Sequence, residues 1–107
     1  MVVRAEPMVK MQALVEATLK HGMLPLVLPE FKHITVGGAI MGAALESSSH
    51  MHGDFLDACR SVELLLGNSS VVVCSPTERT DLFSALSGSY GTLALLLEPH
   101  ARPPPLT

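Results

Sequence analysis

The sequence predicts an α+β domain, a mainly antiparallel sheet flanked by helices. Three observations carry this. Two apolar runs, Cys59–Leu66 and Ser70–Cys74, meet at the turn residues Gly67-Asn68-Ser69, which reads as a β-hairpin. Met8, Met11, Leu14, Val15 and Leu19 share one stripe at helical spacing, with Gln12, Glu16 and Lys20 on the other face. The order of elements is strand, helix, extended segment, loop and short helix, hairpin, helix, strand, with no repeat. A hairpin inside that order excludes a doubly wound sheet.

In chain order, Val2–Ala5 reads as a short strand. Pro7 suits the first position of a helix, with Glu6 at its positive end and Gly22 closing it near His21. Glu16 and Lys20 form an i,i+4 pair on it, and its methionines are core filler. Met23–Pro29, punctuated by Pro25 and Pro29, is an extended segment or edge strand. Glu30–Ile34 links it to a short helix over Gly38–Glu46, with Ser47, Ser48 and Ser49 at the exit. His50 and His52 alternate, as on one side of an extended segment, and no third ligand lies near them in sequence, so no metal site is assigned. A hairpin turning at Asn68-Ser69 sets Leu66 opposite Val71, Leu64 opposite Val73 and Cys74 opposite Glu63. Cys59 is then about four residues out of register with Cys74, and both cysteines are buried free thiols. Thr77–Thr80 supplies cap residues for a helix over Asp81–Leu86. Gly88 and Gly91 bracket a turn, and Thr92–Leu97 is a strand buried on both faces. The domain spans residues 1–98, and Pro99–Thr107, with Pro103-Pro104-Pro105, is an extended, poorly ordered tail.

The chain of 107 residues supports one small domain, and its 48% apolar content suffices for a core. With no Trp, one Tyr and three Phe, that core is aliphatic. A net charge of −3 without a basic run argues against nucleic acid as a partner. Ile34–Leu45, the longest uncharged apolar stretch, is too short and glycine-rich to span a bilayer. The opening MVVRAEP lacks the apolar stretch of a signal peptide.

The stretch that concentrates chemistry is Thr35–Gly53, which holds Gly37, Gly38, Gly42 and Gly53. Glycine costs backbone entropy, so this density has a cause: positive φ, a close helix contact or a ligand against the backbone. The Gly37-Gly38 pair sits where a loop turns into a helix. Bare N–H groups there would cradle an anion, and the pyrophosphate of a dinucleotide is the leading candidate. Small residues at this spacing also allow tight packing without any ligand, and on the glycines alone that structural reading comes first. The spacing is not G-x-G-x-x-G, and no G-x-x-x-x-G-K-[ST] loop occurs. No Lys or Arg lies between His33 and Arg60. Ser87-Gly88-Ser89-Tyr90-Gly91 fails as a nucleophile elbow, because the first position is Ser and the segment follows a helix. Glu63, Glu78 and Asp81 make no evident acid/base pair. With no self-sufficient catalytic set, the residues read as a binding surface made of backbone N–H groups, Ser47 to Ser49 as hydroxyl donors, and the Gly88–Thr92 turn.

The segments TVGGAIMGAALESSSHMHG, ELLLGNSSVVVC and SPTERTDLFSALSGSYGTLALLL, in one order from about Val3 to Leu97, resemble the delta(24)-sterol reductase family and its plant Diminuto relatives, flavoproteins of the vanillyl-alcohol-oxidase type. The resemblance implies the second subdomain of an FAD-binding PCMH-type domain. It implies FAD contacts along Thr35, Val36, Gly37, Gly38, Ala39, Ile40, Met41, Gly42, Ala43, Ala44, Leu45, Glu46 and Ser47, and at Gly91 and Thr92. It implies FAD as cofactor, and NADPH and a sterol in a full-length context, for reduction of a double bond in the sterol side chain. The family setting is the endoplasmic reticulum membrane. Ala44 and Ala94 stand where the family usually has Gly, and His52 where it has Tyr. The first FAD subdomain is not in the sequence, so a partner that completes the FAD site is expected. The alternative is a non-catalytic α+β remnant or interaction module that has lost FAD binding.

Overall fold

The computed structural model describes residues 2–28, 31–45 and 49–101, with the side chains of 50, 100 and 101 outside the description. The elements are β1 (Val3–Arg4), α1 (Met11–Leu19), α2 (Val36–Met41), α3 (Ser49–His52), a 3-10 turn (Leu56–Ala58), β2 (Cys59–Leu65), β3 (Val71–Cys74), α4 (Thr80–Ala85) and β4 (Leu95–Ala101). The four strands lie in the order β1-β4-β2-β3, and every neighbouring pair is antiparallel. The α+β class and the antiparallel sheet are as the sequence predicts. One face of the sheet carries Val62, Leu64, Cys74 and Leu96 into a core shared with Met11, Leu14, Val36, Ile40, Phe55 and Leu86. Val71, Val73 and Leu95 are exposed.

Several boundaries differ from expectation, each for a physical reason. α1 begins at Met11, four residues after Pro7, because Pro7–Lys10 pairs with the segment entering α2. Met11 N donates to Ile34 O (2.8 Å), Val36 N to Val9 O (2.8 Å) and Gly37 N to Pro7 O (2.8 Å), and Lys10 bridges Thr35. The buried stripe of α1 is accordingly Met11, Leu14 and Thr18, while Met8 and Leu19 are exposed. Glu16 accepts from Gln12 (3.2 Å) in place of pairing with Lys20. Met23–Leu28 is not in the sheet; it bends at Leu26–Val27 and plugs the core with Val27. α2 starts at Val36, two residues early, because the Thr35 hydroxyl caps it, and it ends at Gly42. His50 and His52 lie in the helical α3, so they do not alternate along an extended segment.

The hairpin is present with its register moved by one residue: Leu65 faces Val71, Leu64 faces Val72, Glu63 faces Val73 and Val62 faces Cys74. Its loop has three residues, Gly67-Asn68-Ser69, with Ser69 left-handed (φ 67°), and Leu66 N bonds Ser70 O across it. That is the three-residue hairpin geometry, whose last residue sits in αL. The Asn68 Oδ1 accepts from Ser70 N (3.0 Å) and Ser70 Oγ (2.6 Å), fixing the turn. α4 starts at Thr80 behind a left-handed Arg79 (φ 50°). Ser75 Oγ caps the preceding turn by accepting from Thr77 N and Glu78 N.

β4 starts at Leu95 and is not buried on both faces: Leu96 is enclosed while Leu95 is 60% exposed, because only one face of the sheet is covered. It continues through Pro99 to Ala101, so these three residues belong to the sheet and not to a tail; residues 102–107 lie outside the described residues. Pro99 is buried in an interior strand opposite Val62. Its carbonyl accepts from Ala5 N (3.2 Å), beyond the end of β1. The N and O of one strand residue point to the same neighbour, so the missing N–H falls where the ladder has already stopped.

Candidate functional site

The site is built on α2. Thr35 is its N-cap, extended at φ −82° and ψ 155°, and Thr35 Oγ1 accepts from Gly38 N (3.1 Å). The other early donors are also engaged: Val36 N to Val9 O, Gly37 N to Pro7 O, and Ala39 N to Thr35 O (2.9 Å). The expected anion cradle of bare amides is therefore overturned. Pro7–Lys10, running alongside, and the Thr35 cap take those N–H groups for themselves.

The two adjacent glycines do different work. Gly37 is buried, and a Cβ on it would lie 2.8 Å from Pro7 Cβ and 3.1 Å from Pro7 O. Gly38 is exposed, and a Cβ there would approach only Thr35 Oγ1, at 3.0 Å. Val36, Ala39 and Ile40 are buried in the core. Gly42 ends the helix, and Ala43 is left-handed at φ 57°.

The exposed side of α2 forms one wall of a cleft of about 470 Å³. Thr35, Gly37, Gly38, Met41 and Gly42 line that wall, and the rest of the lining comes from Pro7 and Met8 and from Tyr90, Gly91, Ala94, Leu95 and Leu96. The structure thus brings Gly91 to the glycine segment. Thr92 is not among the lining residues; its hydroxyl donates back to Ser89 O (2.7 Å). Ala43, Ala44 and Leu45 do not line the cleft, and Glu46 and Ser47 lie outside the described residues. Ala94 lies on the cleft wall, and His52 is exposed in α3.

Sequence reasoning missed Pro7, Met8 and the start of β4 as cleft residues, and reached Tyr90 only as part of the Gly88–Thr92 turn, without singling it out. Tyr90 carried a usable signal, as the one tyrosine of the chain set between glycine turns. Its loop is tied to α2: Tyr90 N donates to Met41 O (3.2 Å) and Ser89 Oγ to Met41 Sδ (3.3 Å). Gly88, Tyr90 and Gly91 all have positive φ, at 79°, 53° and 78°.

The remaining reactive groups are committed to structure. Asp54 and Asp57 cap each other's amides (3.0 and 3.2 Å), and Ser87 Oγ donates to Asp54. Burial pushes the Asp57 carboxyl up from its ordinary value; the backbone bond with Asp54 opposes this, and Asp54's charge adds to it. Burial, then the charges of Asp54 and Asp57, pushes the Cys59 thiol up to about 12, and burial pushes Cys74 up to about 11. Both are free, buried and protonated at neutral pH, which removes them as nucleophiles. Ser89 faces a thioether and no base. Among the described residues no group of three or more His, Cys, Asp or Glu could hold a metal ion, and no helix is long and apolar enough to cross a membrane.

The cleft residues include no charged side chain; the Thr35 hydroxyl and the Tyr90 phenol are its polar side-chain groups. Glycine faces opposite aliphatic side chains fit a flat, largely apolar ring system. They do not fit a diphosphate, which needs cations or free amides.

Comparison with known proteins places this chain in a family. Delta(24)-sterol reductase of Homo sapiens is 44% identical over 101 residues, covering 94% of this chain and 20% of that protein. The Pisum sativum delta(24)-sterol reductase is 38% identical over 98 residues, covering 91% of this chain and 17% of the relative. Cytokinin dehydrogenase 9 of Oryza sativa subsp. japonica is 32% identical over 79 residues, 74% of this chain and 15% of its own. The chain spans about a fifth of the length of the sterol reductases it matches. The FAD binding domain family matches residues 1–75, which run from β1 through the glycine segment to the end of β3. The α+β fold with its antiparallel sheet is consistent with a PCMH-type FAD-binding domain, and the chain belongs to the FAD binding domain family.

Proposed function

We propose that this chain is an FAD-binding portion of a sterol-reductase-like oxidoreductase and that its own contribution is the wall against which the ring end of FAD rests. The observation that carries this is the uncharged cleft between α2 and the Tyr90–Leu96 segment, in a chain of the FAD binding domain family. Thr35, Gly38, Met41, Gly42 and Gly91 make the contacts. Gly37 lines the wall while packed on Pro7, and Val36, Ala39 and Ile40 hold it from behind. Glu46, Ser47 and Thr92 are the further FAD contacts that the resemblance to the reductases implies, and Ala43–Leu45 precede the first two in sequence.

Bound flavin supplies the redox chemistry; the protein binds and orients it. The apolar cleft holds water away from one side of the ring, and the Thr35 hydroxyl offers a polar contact at its edge. The diphosphate needs a second surface with cations or free amides, which we assign to a partner protein or a further segment that completes the site. NADPH and a double bond in a sterol side chain are the donor and substrate class that the reductase relatives suggest for the completed enzyme. The remnant reading is not favoured by the family match.

Titrating FAD into the purified chain while following thermal unfolding tests the binding step. At 100 times Kd the ligand should stabilise the fold by about 2.7 kcal/mol, read as a rise in Tm. No rise at millimolar FAD would contradict the reading.

A further inference from the structure

Tyr90 is a bulky residue held where bulky residues rarely sit. Its φ of 53° is left-handed, and it is 78% exposed although its neighbour Met41 offers apolar cover. Glycine or asparagine would occupy that backbone position at less cost. The loop is nevertheless fastened to α2, by Tyr90 N to Met41 O and by Ser89 Oγ to Met41 Sδ, so the backbone that carries the ring is held at the cleft. It lines the cleft with Met8, itself 78% exposed, and Leu95, 60% exposed. Neither packing nor an internal hydrogen bond accounts for the ring: among the described residues its phenol has no partner. A strained, exposed aromatic at the edge of an apolar cleft is what a stacking platform looks like before its ligand arrives.

We propose that Tyr90 stacks on the isoalloxazine ring of the flavin and, through its exposed phenol edge, closes the cleft over it. This rests on the FAD reading of the same cleft and adds the residue that recognises the ring. The sequence has one Tyr and no Trp, so its aromatic signals in the flavin complex report this residue alone apart from phenylalanine. A phenol in contact with a flavin ring quenches its emission, whereas a phenyl ring does not.

The test compares wild type with Tyr90→Phe, Tyr90→Ala and Tyr90→Gly, using FAD for affinity and riboflavin for emission. Wild type should quench bound riboflavin. Tyr90→Phe should bind both ligands within about twofold of wild type but leave riboflavin bright, since stacking is kept and the phenol lost. Tyr90→Ala should weaken both about tenfold, the scale of one aromatic pair. Tyr90→Gly should weaken binding likewise while raising the Tm of the free protein by about 4 °C, because the left-handed strain is released. A residue serving only the fold would not produce opposite effects on stability and affinity. If FAD binds wild type and all three variants alike, or riboflavin stays bright on wild type, the stacking assignment is wrong and the FAD reading stands. If AMP competes with FAD but riboflavin does not bind, the cleft takes the adenine end and the isoalloxazine assignment is wrong. If wild type binds no FAD, the FAD reading falls and this assignment with it.

Discussion

Gly37 and Gly38 are neighbours with opposite obligations. At Gly37 an added methyl meets Pro7 Cβ at 2.8 Å and its carbonyl at 3.1 Å, both parts of a rigid residue that cannot swing away. Gly37→Ala should therefore cost about 1–3 kcal/mol, seen as a lower Tm or urea midpoint. An unchanged midpoint would mean that Pro7 moves freely. That the glycines matter is legible in their density. Which one packs on Pro7 and which one stands exposed is not, because the deciding neighbour, Pro7, lies about thirty residues earlier in the sequence. The same distance hides the fate of the first two α2 amides, those of Val36 and Gly37, whose acceptors are Val9 and Pro7.

At the scale of elements, the hairpin shows how a local rule can be right in kind and wrong by one. Gly67-Asn68-Ser69 announces a turn, and the apolar runs on either side announce strands. The register depends on whether the loop holds two residues or three. It holds three because Ser69 accepts φ 67° and Asn68 locks the turn through Ser70. Ser69→Gly should then stabilise the fold by about 0.5–1 kcal/mol, since Gly takes that conformation without the Cβ penalty and the Asn68 bonds remain. Thermal unfolding checks this; a lower Tm would mean the serine side chain contributes more than its strain costs. α1 is legible as a stripe, but its start is not: Pro7 is a good first helical residue, yet pairing of Pro7–Lys10 with residues 34–37 outweighs that local preference. Pro99 likewise reads as the start of a tail, because nothing near it reveals that β1 ends before its missing N–H would be needed.

Across the whole molecule, one sheet face and the helices enclose an aliphatic core in which both thiols lie. Their raised pKa values link that burial to pH. The folded state holds protons to about 12 on Cys59 and about 11 on Cys74, against an ordinary 9.0. The stability tied to these protons is whole below pH 9.0 and is lost as pH climbs from there through 11 and 12. The native protein should react slowly with a thiol reagent at pH 8 and yield two fast thiols in denaturant; fast native labelling would contradict the burial. The cleft is also a property of the whole molecule. It is assembled from residues 7–8, 35–42 and 90–96, and sequence resemblance points to two of those three segments. Its apolar character appears only when the side chains are seen together, and it favours a ring resting on glycine over a diphosphate held by amides.

Calorimetric titration of FAD into Gly38→Val, beside wild type, tests that central claim most directly. Gly38 is exposed in the cleft and its Cβ would meet only the Thr35 hydroxyl, so the variant should keep its fold while affinity falls about tenfold or more. A well-folded Gly38→Val that binds FAD as tightly as wild type would show that the ring does not rest on α2.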